Sequence, residues 1–167
     1  MRIVVDVEQL GRAVTASRVA LPAEACGLML GSTDDDGTVR VARVVPTRNA
    51  ATTAREDRFE VHPEDYVRLD GEARELGLEI VGVWHSHPDS GARPSRTDRD
   101  GALPGWSYLI VGRAAHGDLH VRSWRLEDEV FVEESLVTTE EEGAVVPGVE
   151  RRSASIESQR PDVAIAS

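Results

Sequence analysis

Residues 83–98 read VWHSHPDSGARPSRTD. His85 and His87 stand one residue apart at the end of an apolar run, and Ser95 and Asp98 stand three apart, with ten residues between His87 and Asp98. On a strand, residues i and i+2 point to the same side, about 6.6 Å apart at a rise of about 3.3 Å per residue, so the two imidazoles can converge on one ion. Two imidazoles and one carboxylate are the ligand set of an open catalytic zinc site, with a fourth position left for water. Zinc lowers the pKa of such a water from 15.7 to about 7 and polarises a carbonyl.

Each feature also has an ordinary alternative. An isolated H-x-H is more often one core histidine beside one exposed one. S-x-x-D is the pattern of a helix N-terminal capping box, which turns the carboxylate back onto its own cap. The missing base has a candidate in Glu24 of AEACGLMLG, a carboxylate at the entry to an apolar strand. It has no packing reason to be there unless it is simply exposed. Ser86, between the histidines, points to the opposite side and is given no catalytic role. Cys26 tests a thiol-nucleophile alternative, but its apolar strand suits packing better than a lowered thiol pKa. His62, His116 and His120 lack carboxylate companions at ligand spacing and read as surface residues.

The elements that must position these groups follow from hydrophobic periodicity. RIVVD (2–6) reads as a strand, and 7–21 as a helix with Val7, Leu10, Val14, Ala16 and Val19 on its apolar face, ended by Pro22. Residues 24–32 and 38–46 read as a hairpin around TDDDG. Residues 47–58 show no periodicity and read as a loop placed as a flap over the site. RFEV (58–61) reads as a brief strand. His62-Pro63 leads into a helix with Tyr66, Leu69, Ala73 and Leu76 on one face, stopped by Gly77. LEIVGVWHSHP is a strand, Ser95 to about Leu103 a short helix, and SYLIVGR, DLHVRSWRL and EVFVEESLV three further strands.

From Thr138 onward the apolar residues are too sparse to offset the entropy of ordering, so 1–137 is expected as one domain and 138–167 as a disordered tail. The tail holds six acidic and three basic residues, a net of −3, so −8 of the total −11 belongs to the folded part. A sequence of 167 residues suits a single domain. Its acidity excludes a phosphate-binding surface and hence a nucleic-acid partner. No run approaches the roughly 20 apolar residues that span a bilayer, and Asp6 interrupts any secretory h-region, so a cytoplasmic location is expected. One cysteine excludes an internal disulfide and multi-Cys zinc cages, so any zinc must be held by His and carboxylates. All 19 basic residues are arginine, as in a GC-rich coding sequence.

Taken together, Glu24, His85-Ser86-His87-Pro88 and Ser95-Arg96-Thr97-Asp98 resemble the JAMM, or MPN-plus, metallopeptidases. Their signature is an early Glu, then H-x-H-P, then S/T-x-x-D at the same spacing; EACGLMLG also resembles their E-x-C-G segment. The resemblance implies an α/β fold: a single JAMM/MPN-like (cytidine-deaminase-like) domain with a curved, mostly antiparallel sheet flanked by helices. It implies Zn2+ on His85, His87 and Asp98, Glu24 as general base and then acid, and Ser95 as donor to the oxyanion.

This sequence lacks the chain-gripping insertions of the eukaryotic deubiquitinating members and is similar to the stand-alone prokaryotic type. That similarity implies hydrolysis of the peptide or isopeptide bond after the C-terminal Gly-Gly of a ubiquitin-like or sulfur-carrier protein, by a monomer or homodimer. Two other readings stay open: a metal-free MPN-type interaction scaffold, disfavoured because no ligand is missing, and a RadC-like repair-associated protein, disfavoured by the acidity.

Overall fold

A computed structural model describes residues 1–53, 57–114 and 117–140. Its order is β1 (Arg2–Asp6), α1 (Val7–Ala20), β2 (Cys26–Thr33), β3 (Val39–Thr47), α2 (Pro63–Glu75), β4 (Glu79–Ser86), α3 (Arg96–Asp100), β5 (Ser107–Arg113), β6 (Leu119–Glu127) and β7 (Val130–Thr139). Asp6 ends the first strand and caps the first helix, its carboxylate accepting from the Glu8 N–H at 2.8 Å. The other strands and helices fall close to the segments read from periodicity, with three exceptions.

First, the sheet is mixed and closes on itself in the order β1-β3-β2-β4-β5-β6-β7. The expected curved, mostly antiparallel sheet is therefore corrected to a mixed, closed seven-stranded barrel. Antiparallel pairs join β2 to β3 and β4, and β6 to β5 and β7; β1 pairs in parallel with both β3 and β7, and β4 in parallel with β5. Closure comes from β1, which runs beside β7 from Arg2↔Ser135 to Asp6↔Thr139. Alternation identifies a strand but not its neighbour, so this pairing was invisible in the sequence.

Second, RFEV forms no strand: only an isolated bridge links Asn49 to Val61. Third, the buried face of α2 is Asp65, Leu69 and Ala73, while Tyr66 and Leu76 are exposed. Asp65 takes the inward position because it accepts from the backbone N–H and the guanidinium of Arg48, both at 3.0 Å, pinning the segment after β3 to the helix. In α1, likewise, Ala13 and Ser17 are buried, and Val19 is 82 % exposed. The Ser17 hydroxyl donates to the Ala13 carbonyl, which makes its burial tolerable.

Two cores cover the two faces of the central strands. Leu10, Ala13 and Val14 of α1 meet Ile3, Val5, Met29, Val41, Trp84 and Leu109 on one. Leu69 and Ala73 of α2 meet Leu28, Leu30, Val83 and Tyr108 on the other. Near the end of β4, Val83 and His85 therefore face the α2 side, and Trp84 and Ser86 the α1 side. The last strand reaches Thr139, two residues past the expected domain boundary. Of the tail read at 138–167, residues 141–167 lie outside the described residues, as does His116. Among the described residues no helix is long and apolar enough to cross a membrane.

Candidate metal centre

β4 delivers His85 from its last turn of pleat, and His87 follows just beyond the strand. Their Nε2 atoms stand 3.1 Å apart. Asp98, in the first turn of α3, brings Oδ1 to 3.2 Å from His85 Nε2 and Oδ2 to 3.4 Å from His87 Nε2. All three side chains are buried, so neither histidine is the exposed member that an ordinary H-x-H would have. Among the described residues this is the one group whose ligand atoms lie close enough together to hold a metal ion.

The spacing fits such an ion. Bonds of about 2.0–2.1 Å to a tetrahedral cation place ligand atoms about 3.3–3.4 Å apart, close to the three separations here. Two ring nitrogens and a carboxylate aimed at one point in a buried space need a shared cation or proton. Burial pushes the His85 pKa down, and Asp98 only partly opposes this. For His87 burial acts the same way but is outweighed by Asp98 and the Gly91 carbonyl, so its pKa rises. Burial works against ionisation of Asp98 too, yet its bonds to His85 and His87 hold it well below the usual carboxylate range.

The capping box forms while Asp98 still lies against both histidines, so the cap and a position able to hold a metal are compatible. Ser95 Oγ accepts from the Asp98 N–H at 3.1 Å, while Asp98 Oδ2 accepts from the Ser95 N–H at 2.6 Å. The box fixes the carboxylate with Oδ1 toward His85 and Oδ2 toward His87. Ser95 Oγ accepts in the cap, which leaves its own proton available to donate.

Glu24 lies in the short segment before β2 and is 4 % exposed, so it is not a solvated strand-entry residue. Its Oε1 is 3.9 Å from His87 Nε2, and burial is the main cause that pushes its pKa up to about 8. A groove of about 1000 Å³ runs along α1 past Arg12, Thr15 and Val19, and its walls include Glu24 and the stretch from Pro46 to Asn49.

Supporting contacts that sequence reasoning missed complete the surroundings. His87 Nδ1 faces the Gly91 carbonyl at 3.0 Å; a proton on Nδ1 leaves the Nε2 lone pair for a metal, the usual outer partner of a ligating histidine. His85 Nδ1 is buried without a hydrogen-bond partner, and the Phe59 ring stacks on the imidazole at 4.3 Å between centroids instead. His120, expected at the surface, is half-buried, and its Nε2 accepts from the Ala92 N–H at 3.3 Å. His62 caps α2, accepting from the Glu64 N–H through Nδ1. Cys26 is buried beside Thr47, and burial raises its thiol to about 11, as packing requires.

The sequence profile described as prokaryotic homologs of the JAB domain matches residues 7–127, a span that contains Glu24, both histidines, Ser95 and Asp98. The chain belongs to this family. Relatives within reach of the JAB-domain protein include a desampylase of Haloferax volcanii, 41% identical over 104 residues, 62% of this chain and 70% of the relative. A CysO-cysteine peptidase of Mycobacterium tuberculosis is 32% identical over 148 residues, 83% of this chain and 92% of the relative. A protein of Desulfitobacterium hafniense solved in solution superimposes with a TM-score of 0.74 at 31% identity, covering 83% of this chain and 94% of that one.

Proposed function

We propose that this JAB-domain protein is a zinc metallopeptidase that hydrolyses the peptide or isopeptide bond after the C-terminal Gly-Gly of a ubiquitin-like or sulfur-carrier protein. The observation that carries the reading is the meeting of His85, His87 and Asp98 within 3.1–3.4 Å, with the Glu24 carboxylate 3.9 Å from the same ring nitrogen of His87. The donor set suits zinc, which favours two imidazole nitrogens with one carboxylate oxygen and keeps an open position in catalytic sites. The relatives named a desampylase and a CysO-cysteine peptidase support the substrate class.

His85, His87 and Asp98 would hold the zinc ion, which would supply Lewis acidity toward a bound water and the scissile carbonyl. Glu24 takes one proton from the attacking water as its oxygen bonds to the carbonyl carbon. The C–N bond then breaks, and Glu24 returns the proton to the leaving amine nitrogen. Ser95 donates its hydroxyl proton to the oxygen that becomes negative in the tetrahedral adduct. A Gly-Gly tail, lacking side chains, fits extended in the groove that reaches Glu24, with the loop at 47–58 as the flap over it.

The test is to incubate the zinc-loaded protein with small ubiquitin-like carriers of its own genome, each extended past Gly-Gly by one cysteine, and to detect the shortened carrier by mass. Glu24→Gln is expected to keep zinc and lose about 10²–10⁴-fold in turnover, and His85→Ala to lose both. Undiminished turnover in Glu24→Gln would remove the base assignment. No shortened carrier from any extension would remove the substrate class.

A further inference from the structure

The peptide unit joining Glu24 to Ala25 has both polar atoms bound by side chains from elsewhere in the chain. Its carbonyl, Glu24 O, accepts from Asn49 Nδ2 at 3.1 Å. Its N–H, on Ala25, donates to Ser86 Oγ at 2.9 Å. The next carbonyl, Ala25 O, accepts from the Ser86 N–H, also at 2.9 Å. The regular ladder between β2 and β4 begins only at Cys26↔His85, so ladder pairing alone does not fix the plane of the peptide before it.

We infer that Ser86 and Asn49 are positioning residues that set the Glu24 carboxylate against the metal ligands by clamping the Glu24–Ala25 peptide. The inference rests on the reading of Glu24 as the base. A peptide is planar, so fixing its two polar atoms fixes ψ of Glu24 and φ of Ala25, and with them the direction in which the Glu24 side chain leaves the backbone. Ser86 lies between His85 and His87, so the same three-residue stretch carries the ligands on one side and holds the base from the other. It is buried, so Ala25 N–H has no water to replace it.

Asn49 extends the clamp to the covering segment. Its Nδ2 also donates to Arg58 O at 3.1 Å, and its Oδ1 accepts from the N–H groups of Ala51 at 3.0 Å and Glu60 at 3.1 Å. One carboxamide, with its full complement of four bonds, thus ties the base to the segment whose Phe59 stacks on His85. The two positioning residues divide the work: Ser86 Oγ bonds the Ala25 N–H of the base's peptide, and Asn49 Nδ2 bonds both the carbonyl of that peptide and the Arg58 carbonyl.

Ser86→Ala, loaded with zinc and assayed on the cysteine-extended carrier, is expected to lower kcat about 10–100-fold, the scale of a misplacement near 1 Å, with KM within about threefold. Zinc stoichiometry and circular dichroism stay as in the wild type, and Ser86→Thr, which keeps the hydroxyl, recovers most of kcat. Asn49→Asp retains the two acceptor bonds but loses both donors, and is expected to lower kcat with KM changed less than in Asn49→Ala, where the flap is released as well. A folded, zinc-loaded Ser86→Ala with wild-type kcat overturns the inference, as does a kcat loss that merely tracks lost zinc. Should Ser86→Ala not fold, Asn49→Asp decides on the same criteria. Glu24→Gln separates the two levels: if it retains turnover the base reading itself fails, whereas if it is inactive and Ser86→Ala is not, only the clamp fails.

Discussion

Gly112 is far from the metal ligands in sequence, yet the way it packs determines how His87 is held. A Cβ at this position would lie 2.1 Å from Ala92 N and 2.4 Å from the Gly91 carbonyl carbon. Against a normal separation of about 3.5 Å, Gly112→Ala must displace the Gly91–Ala92 backbone by about 1.4 Å. That backbone has little freedom to absorb it locally. Ser90 O accepts from the Arg113 N–H at 2.7 Å, Ala92 O from Trp124 Nε1 at 2.9 Å, and Ala92 N–H donates to His120 at 3.3 Å.

The displacement is expected to break the 3.0 Å contact between the Gly91 carbonyl and His87 Nδ1. Loss of the outer partner of a ligating histidine costs about 10–100-fold in metal affinity, or about 1.4–2.7 kcal/mol. The assay is competition for zinc against a chromophoric chelator, with circular dichroism to establish that the variant is folded. A folded Gly112→Ala whose zinc affinity lies within twofold of the wild type refutes the reasoning. If the variant does not fold, Trp124→Phe removes one tether of the same segment without overpacking and is expected to weaken zinc in the same direction by a smaller factor.

Cys26, buried with its thiol pushed up to about 11, carries almost no thiolate at neutral pH. Cys26→Ala is therefore expected to keep turnover within about threefold, and an alkylating reagent to leave the native enzyme active; inactivation that a bound carrier prevents would reinstate the thiol as a nucleophile. Asp65 is held down to about 2, mainly by hydrogen bonds from the Arg48 side chain and then its backbone N–H. Its folded-state pKa lies below the unfolded value of about 3.9, so its stabilising contribution is present above that value and lost as pH falls toward 2. In metal-free protein, Asp65→Asn should melt below the wild type at neutral pH, with the gap closing between about pH 4 and 2; a gap independent of pH would place the effect elsewhere.

The site was legible in the sequence to the extent that its chemistry is written in local spacing. His85 and His87 share a strand face because of period two, and Ser95 and Asp98 share a helix start because of the three-residue offset. What spacing could not show is which partner each group finds across the fold. The closing pair β1–β7, the Gly91 carbonyl behind His87, the Phe59 ring on His85 and the Asn49 and Ser86 bonds to the Glu24–Ala25 peptide all join segments distant in sequence. Periodicity likewise put Tyr66 inward in α2, where the Arg48 pairing puts Asp65.

Asp98 shows why two sequence readings can conflict while the fold satisfies both. A carboxylate has two oxygens and about four acceptor directions. Oδ2 takes the Ser95 N–H at 2.6 Å, and Oδ1 remains turned to His85 at 3.2 Å, so the cap fixes a rotamer compatible with the proposed ligation. Burial strengthens this coupling, because a buried carboxylate held by only one of these partners would be under-compensated. The capping box is therefore the local rule by which α3 starts where the ligand must stand. Glu24, which lacks such a local device, depends instead on side chains brought from the segment after β3 and from the end of β4.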